Sequence, residues 1–163
     1  MVLEDRLLPY WEGSDEPSDG RIVEAEHRWG LEIATDYDRA CDCSEWIGCI
    51  SVKDGAALVL GGDDAAATWR PLKNLSEGIL VRWIYADSED EILEAALELT
   101  NSRVADEYIE FDINSSPLVL FAATEIGNDP IYPRLNFSLA VGRYGIFTSH
   151  RDDNQMGIIC HTM

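Results

Sequence analysis

Cysteine and histidine are the side chains best able to hold a metal or attack a substrate, and their spacing here argues against both. Cys41, Cys43 and Cys49 form C-x-C-x5-C, with Cys160 and His161 far along the chain. A structural zinc site draws its thiolates in pairs from tight C-x2-4-C loops, and no second pair is present. The histidines are His27, His150 and His161, and no G-x-S-x-G elbow occurs. Cys160 and His161 are neighbours, so in a strand they point to opposite faces and form no dyad. Carboxylate pairs are plentiful: Asp36 and Asp38 flank Tyr37, and Asp63-Asp64 follow Gly61-Gly62. Acid–base catalysis needs one carboxyl of a pair in a dry pocket, whereas these sit in polar stretches that read as solvated loops. Gly61-Gly62-Asp63-Asp64 also lacks the lysine of a phosphate cradle and repels phosphate. The expectation is no catalytic residue, no metal and no cofactor.

Charge narrows the partners. The 163 residues carry 31 Asp and Glu against 12 Lys and Arg, a formal charge of -19. Such a chain repels nucleic acid and anionic membrane and attracts basic surfaces. The five tryptophans, Trp11, Trp29, Trp46, Trp69 and Trp83, have only scattered basic neighbours, such as Arg82 beside Trp83 and Arg70 beside Trp69, too few for a base-stacking groove. Most are expected in the core. Trp46 and Trp69, beside acidic stretches, are better placed for a protein interface, where Trp is enriched at hot spots. The start, Met1-Val-Leu-Glu-Asp-Arg6, has no basic region and no long apolar stretch of the secretory kind. The expected location is therefore the cytoplasm, where thiols stay reduced.

The elements that must position these residues are partly legible. Glu12 to Gly20 reads as a mobile acidic loop, and Arg21 to Trp29 fits a strand or a helical turn equally. Cys49–Val52 and Ala56–Leu60 read as a hairpin about Asp54-Gly55, with both turn residues at positive φ. Trp69 and Pro71 read as a connection, and Ile79–Tyr85 as a central strand. Ser88-Glu-Asp-Glu91 is a capping box opening a helix whose Ile92, Leu93, Ala96, Leu97 and Thr100 share a face. Ile109, Phe111 and Ile113 alternate with Glu110 and Asp112, giving a half-buried strand with a wet acidic face. Leu118–Ala122 is apolar throughout and suits a central strand, or an edge that would pair two copies weakly. Strands are then expected over Phe137–Val141, Gly142–Ser149 and Met156–His161. The predicted class is α+β: a mostly antiparallel sheet of about six to seven strands with one or two helices, in one domain over residues 1–163.

Several segments in order carry a resemblance. Asp36-Tyr-Asp-Arg-Ala-Cys41, Ala57-Leu-Val-Leu-Gly61, Thr68-Trp69 and Val81-Arg-Trp-Ile-Tyr-Ala-Asp-Ser-Glu89 are similar to the bacterial Immunity protein 21 family. Gly142-Arg-Tyr144 and the hairpin after it are similar in style. The Gly61-Gly62-Asp63-Asp64-Ala65 stretch departs from that pattern. The resemblance implies a cytoplasmic immunity protein of a polymorphic-toxin or contact-dependent growth inhibition locus. It would bind and occlude a cognate toxin domain, as a monomer or weak homodimer, and it would have no catalytic residues. The toxin would be basic, with nucleases among the candidates, because a phosphate-holding cleft complements an acidic inhibitor. The partner-binding residues expected from this are Asp36, Tyr37, Asp38, Asp63, Asp64 and Trp69, with Glu110 and Asp112 as a second surface. The competing readings are an acidic DNA mimic and a small metal-binding regulator, with a carboxylate enzyme behind them.

Overall fold

The computed structural model describes residues 1–15, 35–43, 46–62, 66–102 and 104–163. In chain order these form β1 (Val2–Glu4), a 3-10 helix (Asp5–Tyr10), α1 (Asp36–Cys41), β2 (Ile47–Val52), β3 (Gly55–Leu60), β4 (Ala66–Lys73) and β5 (Glu77–Tyr85). Then follow α2 (Glu89–Ser102), β6 (Glu107–Ile113), β7 (Leu118–Leu120), β8 (Leu135–Phe137), β9 (Gly142–Asp152) and β10 (Gly157–Thr162). The strands make two five-stranded sheets, β2-β3-β1-β7-β8 and β4-β5-β10-β9-β6. The α+β class and the antiparallel pairing are as expected. The count is not: ten strands in two sheets replace the six to seven of one. The stretch about Trp69, expected to be a connection, is an edge strand. Phe137–Val141, expected to be one strand, contributes only Phe137, as the end of β8.

Backbone contacts divide the chain into two compact units. The first comprises Met1–Gly62 and Ile113–Val141. Its core joins Leu3, Leu7, Trp11, Val52, Ala57, Val119 and Phe121. Each buried Leu, Val or Phe among them adds about 1.5–3 kcal/mol by leaving water. The buried Trp11 also donates from Nε1 to the Ala123 carbonyl at 3.0 Å, so its one polar atom is satisfied. The β2–β3 hairpin is present, but Val52 pairs with Gly55, so the turn is Lys53-Asp54. Only Lys53 of these two has positive φ, at 54°, which excludes the expected type I′ turn. β7, short and apolar, pairs with β1 on one side and β8 on the other. It is therefore not an edge on which a second copy could add. The acidic loop near 12–20 is described only to Asp15. Its remainder and Arg21 to Trp29 lie outside the described residues.

The second unit comprises Asp63–Asp112 and Gly142–Met163. Helix α2 forms where its capping signal predicts: the Glu91 amide donates to Ser88 Oγ at 3.3 Å, and the first turn holds Glu89, Asp90 and Glu91 against the positive end of the helix dipole. At its far end Ser102 Oγ donates to the Leu99 carbonyl at 2.7 Å, satisfying a carbonyl the helix leaves over. Ile92, Ala95 and Ala96 pack on Ile79, Val81, Ile158 and Cys160 of β5 and β10. The helix thus covers the β5–β10 part of one sheet face, and toward β6 that face carries the half-exposed Phe147. In β6 the predicted alternation is present: Phe111 and Ile113 are buried, Glu110 and Asp112 exposed.

Candidate partner-binding surface

The residues expected to bind a partner separate into three groups. In α1, Asp36 and Asp38 hold the helix itself. Asp36 is 0% exposed; it accepts from the Glu12 amide at 3.0 Å and from Arg39 Nη1 at 3.0 Å. Arg39 in turn donates to the Ser51 carbonyl, tying α1 to β2. Asp38 closes a capping box: its Oδ2 takes the Thr35 amide at 2.8 Å, and its own amide donates to Thr35 Oγ1 at 3.1 Å. A buried, paired carboxylate offers nothing to a partner, so Asp36 is a structural residue, and of this trio Tyr37 is the exposed one. Asp63 and Asp64 lie outside the described residues.

Trp69 does not share a surface with Glu110 and Asp112. β4 and β6 are the two edges of one sheet, about 19 Å apart at the usual strand spacing. The register also puts Trp69 on the other face, level with Leu80 and His161. Its ring lies against Gly78 of β5, where an added Cβ would come within 2.2 Å of it. That position is packed rather than free.

Glu110 and Asp112 do stand in a defined setting. Arg143 on β9 grips Asp112 with both arms, Nε to Oδ1 at 2.7 Å and Nη2 to Oδ2 at 2.9 Å, and reaches Glu110 at 3.5 Å. The guanidinium holds the Asp112 carboxyl below the usual carboxylate range. Beside this cluster, two aromatic rings missed by sequence reasoning meet in the open. Tyr108 is 52% and Phe147 47% exposed, with centroids 4.8 Å apart and planes tilted by 43°. Both rings lean over Gly145: a Cβ there would lie 2.8 Å from Tyr108 and 3.4 Å from Phe147. The period-2 pattern of β6 puts Tyr108 on the acidic face and was readable. Phe147 needed the β9–β6 pairing.

A second feature flanks α2. Asp87, Glu91, Glu94 and Glu98 line an open groove of about 340 Å³, closed on its other side by Arg151, Gln155 and Met156. Arg151 is held by Asp153 at 2.6 Å and lies 3.8 Å from Glu98, so the groove keeps a negative excess. Residues 91, 94 and 98 repeat at helical spacing, a signal present in the sequence of which the capping box uses only Glu91.

Three of the four thiols are held back from chemistry by their surroundings. Burial raises the Cys43 thiol, burial with the neighbouring Cys43 lifts Cys49 to about 11, and burial lifts Cys160 to about 12. They stay protonated at neutral pH, and it is the thiolate that attacks or ligates. Among the described residues no group of three or more His, Cys, Asp or Glu side chains is arranged to hold a metal.

No curated protein and no solved structure matches the chain. The description Immunity protein 21, by contrast, matches it over residues 1–156. With nearly the whole sequence matched, and α1, the β2–β3 hairpin and the β5–α2 passage folded from the segments that carry the likeness, the chain belongs to the Immunity protein 21 family.

Proposed function

We propose that this protein neutralises a cognate bacterial toxin domain by binding it and covering its working surface, with the β6–β9 face as the contact. Family membership supports the toxin-neutralising role and an inhibitor in place of an enzyme. The observation that carries the choice of surface is the exposed Tyr108–Phe147 pair flanked by Glu110, Asp112 and Arg143 on one sheet face. An aromatic centre with a charged rim is the usual anatomy of a protein interface. The five carboxylates of α2, with no cation in that helix, add a negative field beside it. Such a field raises the encounter rate with a basic partner, while the desolvated aromatics set the off-rate. The partner so favoured is a toxin with a basic cleft, of which a nuclease is the leading example because it must hold phosphates. The chain would act in the cytoplasm of the toxin-producing cell or its siblings, as contact-dependent growth inhibition requires.

The test is calorimetry with the toxin domain encoded immediately upstream. Wild type should bind it tightly, and Tyr108→Ala with Phe147→Ala should weaken binding by about 10- to 100-fold, the range for two hot-spot aromatics. A wild-type protein that does not bind a folded, active toxin would sink the reading. A double variant that binds like wild type would move the contact off this face.

A further inference from the structure

We infer that the Pro130–Pro133 tip is a preformed apolar knob, with Ile131 as its point, that seats in a basic-rimmed apolar pocket of the cognate toxin. The inference rests on the toxin-binding reading but concerns the other compact unit and different residues. Ile131 is the most exposed of the large apolar side chains among the described residues, at 79%. Tyr132 beside it is exposed too, and prolines flank the pair.

An exposed isoleucine alone means little, since folded surfaces are more than half apolar. What sets this one apart is how firmly its loop is held. The Gly127 amide donates to the Trp11 carbonyl at 2.8 Å, and the buried Trp11 ring donates back to the Ala123 carbonyl. The Ser14 amide donates to the Thr124 carbonyl at 3.0 Å. Gly127 lies so close to the 3-10 helix that a Cβ would stand 2.2 Å from the Leu8 carbonyl oxygen. Nearer the tip, the Ile131 amide donates to Asp129 Oδ1 at 3.0 Å. Arg134 donates to the Asp129 carbonyl from a position over the Phe121 ring. The loop is thus fixed from its base to its point, and Ile131 has a stiff β-branched side chain. Little conformational freedom is left to lose on docking, which is how a small apolar contact becomes a strong one.

The rim defines the partner. Glu125, first through its charge and then through its hydrogen bond, raises the Tyr132 hydroxyl above the usual phenol range, and Asp129 and Asp15 add to it. Arg134, three residues along the chain from Ile131, is committed to Asp129 and Phe121. A pocket that receives Ile131 must therefore present cations around an apolar floor. A second copy of this chain would instead oppose one acidic rim with another, which is unfavourable by like-charge repulsion. A basic toxin domain fits, and self-association does not.

The experiment measures the dissociation rate and Kd of full-length protein with the upstream-encoded toxin domain, for wild type, Ile131→Ala, Ile131→Asp and Ile84→Ala. Ile84 is a comparably exposed isoleucine in the second unit and controls for loss of any surface apolar group. Thermal melts establish that the variants fold. Expected are a Kd raised about 30-fold or more by Ile131→Ala, as for a hot spot, a larger loss for Ile131→Asp, an increase mainly in off-rate, and no change for Ile84→Ala. Wild-type affinity in both Ile131 variants overturns the knob and leaves toxin binding standing. Equal losses at Ile131 and Ile84 also overturn it. Absence of binding by wild type overturns the toxin reading, and the knob with it. Concentration-dependent dimerisation that Ile131→Asp abolishes would assign the tip to a second copy and overturn the proposed partner.

Discussion

His161 is fully buried; its Nδ1 lies 3.0 Å from Thr148 Oγ1, and its Nε2 has no hydrogen-bond partner. Burial, with the Arg82 charge adding, pushes the imidazole down from 6.5 to about 3. The unfolded chain takes up that proton at higher pH than the folded one, so the neutral ring's contribution is complete above about 6.5 and drains away toward 3. Unfolding free energy should fall by up to about 1.4 kcal/mol per pH unit across that window. Urea titrations from pH 7 to 4.5 test this: His161→Phe should flatten the slope there, whatever it does to absolute stability. At this scale sequence reading succeeded by chemistry and failed by location. It correctly separated Cys160 from His161 as a dyad. It could not tell that Asp36 is interior, because only the Glu12 amide and Arg39 around it make a buried carboxylate tolerable.

Among the elements, those built on local signals were legible. Ser88 and the acids after it announced α2, and the alternation from Ile109 to Ile113 announced β6. β4 was hidden because Pro71 reads as a break; on an edge strand its missing amide costs no ladder bond. β1 and β8, three residues each, are too short to show a period. The loop between β7 and β8 behaves as an element in its own right, clamped at Gly127. Gly127→Ala should therefore cost about 1–3 kcal/mol, the usual range for forced overpacking, because the obstacle is the Leu8 backbone rather than a movable side chain. A lowered urea midpoint with unchanged cooperativity is the expected readout. A midpoint equal to wild type would show that the loop is not clamped.

For the whole molecule the charge of -19 sets the kinetics of encounter. Raising salt from about 50 to 500 mM shortens the Debye length roughly threefold, so the association rate with a basic toxin should fall by about 10- to 100-fold while dissociation changes little. Stopped-flow mixing measures both, and Glu94→Lys with Glu98→Lys on α2 should reproduce part of the loss at low salt. A salt-independent association rate would remove steering from the mechanism and leave the apolar anchors. The sequence alone determined the antiparallel α+β class, the position of α2, the wet face of β6 and the family, because each rests on composition, local period or segment order. Tertiary structure decided the rest. Trp69 and Glu110 belong to opposite edges and faces of one sheet through strand order. Tyr108 and Phe147 meet only because β6 and β9 pair across more than thirty residues of chain. The base of the loop that carries the exposed Ile131 is tied to Trp11, from the far end of the sequence. Long-range pairing of this kind leaves no mark in local sequence, since each partner would look the same beside any other neighbour.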